Sequence, residues 1–317
     1  MVSIIIPTYN RSKLLLECVQ AILRQTYDNF EILIIDDGST DDTEKNITAL
    51  NDNRVIYNKF NKIGNLSVLR NYGVNQSKGE IVAFCDDDDL WLQEKLEIQL
   101  KFIDSFNMIC SNAEIVNLEG SLISEKYFSD FVTNKQLNTS HLFLKNFVIT
   151  STVLLKKNIL PQIPFDTLGY GSTAEDYDLW LKLSLNNLIY FINKNLIKYR
   201  FHSNLSHTQY PLIFVNSINI LNKYKMLVPK RYRRYANWGV LKFRKDYIIL
   251  NLLNRRLFIV VKEILKMILA FFDSGLLSLL FFRILNPKKH IIYNLDKNTF
   301  KDIYWDRSKI RLNNKNI

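Results

Sequence analysis

The stretch EIVAFCDDDDLW, residues 80–91, places an apolar segment directly before four consecutive aspartates. Residues 80–85 have the length and composition of a buried β-strand. Four adjacent carboxylates repel one another, and a hard divalent cation such as Mg²⁺ or Mn²⁺ relieves that repulsion. Alternate residues of an extended segment point to the same side, so Asp86 and Asp88 can converge on one ligand. The other interpretation is a solvated acidic loop in which Asp89 caps a helix that begins near Leu90.

Strand-like and helix-like segments alternate on the N-terminal side of this stretch. Strands are predicted at residues 2–6, 30–35, 54–58 and 80–85. Helices are predicted at residues 12–25, from 40 or 41 to 50, at 66–77 and at 91–104. This alternation predicts an α/β fold with a mainly parallel sheet and helices on both faces. In such sheets ligands bind beyond the carboxyl ends of the strands, where the polar runs 8–11, 36–39 and 86–89 would lie.

A second pair of aspartates, Asp36 and Asp37, follows the strand predicted at 30–35. A carboxylate there can accept hydrogen bonds from a nucleobase N–H or a ribose hydroxyl. The sequence DDGS is also typical of an Asx-turn, in which Gly38 supplies the unusual φ. Both interpretations are compatible if one aspartate builds the turn and the other faces a ligand.

Two later segments contain further candidate site residues. Glu175 and Asp176 lie at the start of a predicted amphipathic helix. A carboxylate there could take a proton from an attacking hydroxyl, and helix capping is the alternative role. His202 follows a predicted strand in KYRFHSNLSH. A lone histidine is more often structural, but beside a metal implied by the aspartates it becomes a candidate contact for that metal or for a diphosphate.

The charge of the chain is divided unequally between its two parts. The 317 residues include 42 basic and 31 acidic side chains, a formal net charge of +11. Residues 1–200 hold 20 basic and 25 acidic side chains, whereas residues 201–317 hold 22 and 6. No recognised nucleic-acid-binding motif accompanies the basic part, so we expect no nucleic-acid partner. The change in composition predicts a division into residues 1–208 and a basic helical region at 209–317.

The cysteines and the N-terminus indicate a compartment. Cys18, Cys85 and Cys110 are odd in number and match no metal-binding spacing, which favours buried, reduced thiols in a cytosolic protein. The first residues, MVSIIIPTYN, lack the basic segment of a signal peptide and are typical of a first strand.

The most apolar stretch of the chain is residues 257–285. Charged residues divide it into pieces that are too short to span a bilayer. On a helix, Arg255, Lys262, Lys266 and Asp273 fall on one face and the remainder is apolar. This pattern is typical of a helix that lies in a membrane interface, with its lysines toward anionic headgroups. A core helix of a helical C-terminal domain is the alternative.

Five segments, taken together and in order, resemble the pattern of glycosyltransferase family 2 on a GT-A fold. They are VSIIIPTYNR, FEILIIDDGSTDDT, LRNYGVNQSKGEIVAFCDDDDLW, AEDYDLWLKL and YRFHSNLSH. The resemblance covers roughly residues 1–208 and implies a GT-A domain of the bacterial cell-surface polysaccharide type, with 209–317 as a basic helical extension.

The resemblance also implies roles for individual residues. Those expected at the nucleotide sugar are Pro7, Thr8, Tyr9, Arg11, Asp37, Arg70, Asp86 and Asp87, with Asp37 at the uracil. Those expected at a Mn²⁺ or Mg²⁺ ion are Asp88, Asp86 and His202. Asp176 is expected as the catalytic base, with Glu175 as the second candidate. The run of four aspartates leaves the register of the metal-binding DxD pair open between 86/88 and 87/89.

The implied reaction is inverting transfer from a nucleotide sugar, expected to be a UDP-sugar, to a hydroxyl of a glycan or lipid-linked acceptor. The enzyme would be a hexosyl- or N-acetylhexosaminyl-transferase of cell-envelope or capsule polysaccharide synthesis. A cation that neutralises the leaving diphosphate and a carboxylate base fit this chemistry. We expect a cytoplasmic protein that is peripheral on the inner face of the cell membrane, with its anionic surface as a partner.

Two other functions fit parts of the sequence. A sugar nucleotidyltransferase also uses a metal-binding aspartate on a similar sheet, but it has a glycine-rich loop after the first strand, where this chain has PTYNR. A non-enzymatic membrane-surface binding module would explain the basic C-terminal region but not the aspartate clusters.

Overall fold

The computed structural model of the chain describes residues 1–128, 134–169, 173–201, 209–253 and 255–273. Within these residues the strands are β1 (Val2–Thr8), β2 (Phe30–Asp36), β3 (Val55–Lys59), β4 (Ile81–Phe84), β5 (Leu90–Trp91), β6 (Met108–Val116), β7 (Leu122–Ser124), β8 (Lys135–Leu137), β9 (Leu154–Lys156) and β10 (Ile189–Arg200). The four strands predicted in the first 85 residues are confirmed as β1 to β4.

The helices within the same residues are α1 (Ser12–Leu23), α2 (Thr43–Thr48), α3 (Leu66–Gln76), α4 (Lys95–Leu100), α5 (Thr139–Leu144), α6 (Glu175–Ser184), α7 (Gln209–Lys225), α8 (Lys230–Leu253) and α9 (Leu257–Asp273). Two single 3₁₀ turns occur at Thr150–Thr152 and Lys157–Ile159. Capping explains one boundary clearly, because the Asn65 side chain accepts hydrogen bonds from the backbone N–H groups of Ser67 and Val68 at the start of α3.

The strands form one mixed sheet with the order β3-β2-β1-β4-β9-β6-β10-β5, and β7 and β8 pair with β6 and β10. Strands β3, β2, β1 and β4 run parallel, β9 is antiparallel to both of its neighbours, and β10 runs parallel to β6. The α/β class and the GT-A-like architecture expected from the sequence are therefore confirmed, with antiparallel strands on the C-terminal side.

The register of the parallel strands brings three polar segments to one edge of the sheet. Thr8 of β1 is paired with Asp36 of β2, and Ile5 of β1 is paired with Phe84 of β4. The residues that follow β1, β2 and β4 therefore leave the sheet side by side. Every residue of β1 and β2 is buried, so this edge is built on a rigid support.

The core lies on both faces of the sheet and continues into the C-terminal helices. Phe84 contacts the ring of Trp180 in α6, with centroids 6.1 Å apart. Leu221 and Tyr224 of α7 are buried in the same hydrophobic core as the strands. No helix among the described residues combines the length and apolar character needed to cross a membrane.

One predicted helix differs from the structure. Residues 91–104 were expected to be helical from a start near Leu90, but Leu90 and Trp91 form β5 and the helix begins only at Lys95. The cause is a tertiary contact, because Trp91 and Leu90 pair with Ile197 and Lys198 of β10. Strand pairing across the sheet outweighs the local helical pattern there.

Candidate active site

The four aspartates after β4 occupy four different environments. Asp86 has a 37% exposed side chain, and one of its oxygens accepts a hydrogen bond from Arg70 Nη2 at 2.8 Å. Its backbone N–H donates to Ser151 Oγ at 2.9 Å. Asp87 is buried and accepts hydrogen bonds from Thr8 Oγ1 at 2.7 Å and Arg11 Nη1 at 2.8 Å. Burial raises the pKa of Asp87 to about 6, although Arg11 acts in the opposite direction.

Of the last two aspartates, Asp88 borders the candidate site and Asp89 lies in the core. Asp88 accepts a hydrogen bond from Arg11 Nη1 at 2.6 Å. Asp89 is fully buried and accepts a hydrogen bond from the backbone N–H of Arg200 at 3.0 Å. The expectation that Asp89 caps a helix beginning near Leu90 is therefore wrong, because its carboxylate joins β10 instead. Burial raises the pKa of Asp89 well above its ordinary value.

The segment after β1 lies directly beside the aspartate run. Pro7 and Thr8 are buried at the end of the strand, and Thr8 and Arg11 both reach Asp87. Tyr9 is exposed, and the ammonium group of Lys62 lies 2.8 Å from the centroid of its ring. The structure thus brings together Thr8, Arg11 and the aspartates as the sequence predicted, and it leaves the Tyr9 ring accessible at the mouth of the site.

The two aspartates after β2 have separate structural roles. Asp36 accepts hydrogen bonds from the backbone N–H and hydroxyl of Ser39, which is the Asx-turn expected from DDGS, and Gly38 has a φ of +82°. Asp37 is buried and accepts hydrogen bonds from the backbone N–H of Ile63 at 2.6 Å and of Gly64. Asp37 therefore fixes the loop between β3 and α3.

Glu175 and Asp176 open α6 and face different partners. Glu175 forms a buried ion pair with Arg70, whose Nη1 lies 2.7 Å from Glu175 Oε1. Burial raises the pKa of Glu175 to about 7, and the charge of Arg70 opposes this shift. Asp176 accepts hydrogen bonds from Thr150 Oγ1 at 3.0 Å and from the backbone N–H of Tyr177. Burial likewise raises the pKa of Asp176.

The 3₁₀ turn Thr150–Thr152 is a part of the site that the sequence analysis missed. It connects the two acidic groups, because Ser151 binds the backbone of Asp86 and Thr150 binds the carboxylate of Asp176. The available signal was the run of three hydroxyl residues, TST, inside an otherwise apolar segment.

Asp86 and Asp176 line one cavity of about 210 Å³. Its other lining residues are Tyr127, Phe128, Asn146, Val148, Ile149, Thr150 and Tyr199. The cavity combines two carboxylates, an amide and two phenols with apolar walls. The polar groups of the lining are suited to orienting a small polar ligand. None of the aromatic residues of the cavity was singled out from the sequence.

The carboxylates of Asp86 and Asp88 are the described groups best suited to a hard divalent cation. Oxygen ligands fit Mg²⁺ or Mn²⁺, which proteins often hold through one or two carboxylates together with substrate phosphates. Asp86 is partly exposed, whereas Asp89 is committed to the core through Arg200. No cluster of three acidic, histidine or cysteine ligands occurs within the described residues. The predicted ligand His202 lies outside the described residues.

Comparison with known proteins identifies the family. The glycosyl transferase family 2 model matches residues 3–163 of the chain. An uncharacterized glycosyltransferase of Rickettsia felis is 36% identical over 205 residues, which are 63% of this chain and 33% of that protein. The chain thus spans about a third of the length of this rickettsial relative.

A second relative matches over most of its own length. It is the Escherichia coli UDP-Glc:alpha-D-GlcNAc-diphosphoundecaprenol beta-1,3-glucosyltransferase WfgD, which is 31% identical over 206 residues, 63% of this chain and 77% of that protein.

Two solved structures share the fold. Staphylococcus aureus TarS 1–349 in complex with UDP-GlcNAc gives a TM-score of 0.56 at 20% identity and covers 83% of this chain and 88% of its own. The mannosyltransferase PcManGT from Pyrobaculum calidifontis, in complex with GDP-Man and Mn²⁺, gives 0.58 at 15% identity and covers 91% and 81%. With a GT-A architecture and a family match over half of its length, this chain belongs to glycosyl transferase family 2.

Proposed function

We propose that the chain transfers a sugar from a UDP-sugar to a hydroxyl of a glycan or lipid-linked acceptor in cell-envelope or capsule polysaccharide synthesis. The observation that supports the proposal is the cavity of about 210 Å³ that the carboxylates of Asp86 and the half-buried Asp176 both line. The name of the relative WfgD, which specifies a UDP-Glc donor and a diphosphoundecaprenol-linked acceptor, supports both halves of the reaction.

Asp176 is the proposed general base. Its carboxylate takes the proton of the acceptor hydroxyl, and the resulting oxygen forms a bond to the anomeric carbon of the sugar. The bond from that carbon to the diphosphate oxygen breaks on the opposite side, so the configuration inverts and UDP leaves. Glu175 is less suited to this role, because its carboxylate is already paired with Arg70 at 2.7 Å.

Asp86 and Asp88 are the proposed ligands of a Mn²⁺ or Mg²⁺ ion. Such a cation supplies positive charge that stabilises the leaving diphosphate. We assign the DxD register to 86/88 and not to 87/89, because Asp89 is fully buried and bonded to Arg200. His202 stays a predicted third contact.

The nucleotide is proposed to lie over the ends of β1 and β2. Pro7, Thr8 and Tyr9 are proposed to form the first wall. Asp37 stays a predicted contact of the uracil, although its carboxylate already accepts hydrogen bonds from the backbone N–H groups of Ile63 and Gly64. Arg11 and Arg70 each bridge acidic groups at this edge, at 2.6–2.8 Å. Both guanidinium groups are proposed to contact the diphosphate as well when the nucleotide binds, with Asp87 helping to hold Arg11.

The two parts of the chain are proposed to divide the work. Residues 1–208 contain every candidate site residue, and residues 209–317 attach the enzyme to the anionic inner face of the cell membrane. The charge distribution supports this division, since residues 201–317 hold 22 basic and 6 acidic side chains. An anionic surface attracts such a segment.

A donor and acceptor panel tests the proposed reaction. The full chain is incubated with UDP-glucose, UDP-galactose or their N-acetylamino forms, with and without Mn²⁺, and with a polyprenyl-diphosphate-linked N-acetylglucosamine as acceptor. UDP release that requires acceptor and metal is the expected result. Release of pyrophosphate from a nucleoside triphosphate and a sugar phosphate would instead identify a nucleotidyltransferase. The absence of both reactions, with no thermal stabilisation by any donor, would contradict an enzymatic role.

A further inference from the structure

Helix α9 (Leu257–Asp273) exposes its apolar residues and buries an acidic one. The exposed fractions are 65% for Leu257, 82% for Phe258, 57% for Val261, 56% for Leu265 and 47% for Ile268. Glu263 is only 6% exposed. It accepts hydrogen bonds from Arg244 of α8 and from Lys266. A helix that faces water on its outer side has the opposite arrangement.

The exposed apolar residues share one side of the helix. At about 100° per residue, the five side chains and Ile264 fall within an arc of about 120°. Lys262 lies about 40° beyond Phe258 around the helix axis, and Arg255 lies two residues before the helix begins; both are exposed. The outward surface of α9 therefore consists of an apolar strip with basic residues along one border.

This surface rules out a simple core helix for the described part of the 257–285 stretch. Val260 and Glu263 face the protein, whereas the six exposed apolar residues do not. Contiguous exposed apolar surface of this kind marks an interaction site. What remains to be identified is the partner that covers it.

Charge selects an anionic bilayer as the partner. A second copy of the chain would bring its own basic C-terminal region to the contact, since residues 201–317 carry 22 basic and 6 acidic side chains. Residues 274–317 of the same chain are also basic, with nine basic and three acidic side chains. A second copy and residues 274–317 would each place positive charge against Lys262 and Arg255. Anionic headgroups would instead compensate the charge of these two residues.

We propose that α9 lies in the interface of an anionic bilayer, with Phe258 and Leu265 among the acyl chains and with Lys262 and Arg255 at the headgroups. The inference rests on the proposed function and adds the surface through which the enzyme reaches a lipid-linked acceptor. The free energy of binding of such an amphipathic helix combines the transfer of its apolar side chains out of water with the attraction of its basic side chains to anionic lipids.

Vesicle sedimentation with the full chain tests the docking surface. The probes are phosphatidylcholine vesicles with and without phosphatidylglycerol. We expect the parent protein to pellet with the anionic vesicles, and we expect the Phe258→Ser/Leu265→Ser variant to show a partition coefficient that is lower by at least about tenfold. The matched control is Leu168→Ser/Leu188→Ser, which removes two exposed leucines from outside α9 and should bind as the parent does.

A charge variant separates the electrostatic contribution to vesicle binding from the apolar one. Arg255→Gln/Lys262→Gln should weaken binding to the anionic vesicles by about fivefold or more for each charge removed, with a much smaller change on neutral vesicles. Added salt should weaken the parent in the same way and leave this variant less affected. Equal salt dependence of the parent and the charge variant would overturn the assignment of the headgroup contacts.

Three results would overturn the docking proposal itself. They are equal binding of the parent and the Phe258→Ser/Leu265→Ser variant, a parent dimer that this variant dissociates, and a fluorophore on Phe258→Cys that is already protected from aqueous quenchers without vesicles. Dissociation of a parent dimer would show that this surface of α9 is an interface between two copies of the chain. A fluorophore that is protected without vesicles would show that another segment of the same chain covers the surface. Thermal stabilisation by UDP-sugars is measured on every variant, because loss of donor binding in the parent contradicts the proposed function, whereas normal donor binding with no vesicle binding contradicts only the role of α9.

Discussion

Arg70 and Glu175 form an ion pair of 2.7 Å in which the side chains are only 3% and 5% exposed. The other terminal nitrogen of Arg70 lies 2.8 Å from Asp86. One guanidinium group therefore connects α3, the start of α6 and the end of β4. Because the pair is removed from water, either partner left alone would be a buried and uncompensated charge.

Replacement of Arg70 by methionine should destabilise the protein strongly. It leaves the Glu175 carboxylate buried without its partner, and loss of one partner from a buried pair costs about 3–5 kcal/mol. The free energy of unfolding, measured by urea titration with circular dichroism, gives the value. Arg54→Met is the control, because the Arg54–Asp52 pair is more exposed and should contribute less than about 1 kcal/mol. Equal losses in the two variants would contradict a buried pair.

Asp176→Asn should abolish most of the transfer while donor binding persists. The amide keeps the shape of the side chain but cannot take a proton, and loss of a general base lowers kcat by about 10²–10⁴-fold. UDP release with acceptor gives kcat, and thermal shift with UDP-sugar gives donor binding. Glu175→Gln should reduce kcat less. A larger loss in Glu175→Gln than in Asp176→Asn would exchange the two assignments.

Asp88→Ala should remove the part of nucleotide binding that depends on Mn²⁺. The substitution deletes one of the two proposed carboxylate ligands and also removes one of the two acidic partners of Arg11, which lies 2.6 Å from Asp88. The stabilisation by UDP is compared with and without Mn²⁺. Asp89→Asn should keep the metal dependence, because Asp89 is buried against Arg200. If Asp89→Asn loses it and Asp88→Ala does not, the 86/88 register is wrong.

Thr150→Val should move the acid limb of the pH profile to higher pH. A base acts only when it is ionised, so kcat/KM falls as the pH drops through the raised pKa of Asp176. The Thr150 hydroxyl donates to the ionised carboxylate and lowers that pKa, so its removal raises the pKa further. Thr150→Ser should restore the parent profile. An unchanged limb in Thr150→Val, with only lower stability, would limit Thr150 to a structural role.

Lys95→Met should remove a pH-dependent part of the stability. Lys95 is fully buried between Gln99, 2.7 Å away, and the ring of Trp91, and burial lowers its pKa from 10.5 to about 7. Between those values the unfolded chain binds the proton and the folded chain does not, so the free energy of unfolding rises with pH. From about pH 7 to 8.5 the parent should gain about 1–2 kcal/mol relative to the variant.

The comparison between the parent and Lys95→Met isolates this lysine. Cys85 and Cys110 have pKa values that burial raises, so their contributions fall at higher pH, but they are common to both proteins. A constant difference in stability across this pH range would show that Lys95 keeps its proton in the folded protein.

The strand ends that carry the site were predictable because each depends on local pattern. The apolar runs before Asp36 and Asp86 are short and buried on both faces, which is typical of parallel strands. Parallel strands place their carboxyl ends at one edge of the sheet. The order of strands and helices along the chain therefore predicts that the polar segments lie close together. The Asx-turn at Asp36 also follows from its own four residues.

Contacts between distant segments were not predictable. Asp89 looked like a helix cap because the residues after it suit a helix, but its partner, Arg200, lies 111 positions away along the chain. Arg70 and Glu175 are 105 positions apart, and no local pattern announces their pairing. Thr150 was missed for the same reason, since its contact with Asp176 depends on where the turn Thr150–Thr152 meets the start of α6 in the fold.

If α9 holds the enzyme at a bilayer as proposed, its outward side would also change how often the enzyme meets a lipid-linked acceptor. A protein held at a bilayer searches a thin layer and not the whole solution, and such confinement produces effective concentrations of about a millimolar. The apparent KM for the acceptor would then depend on the amount of lipid surface as well as on the active site. The same enzyme, given the same acceptor dissolved in detergent, should show a higher KM although no contact at Asp176 has changed.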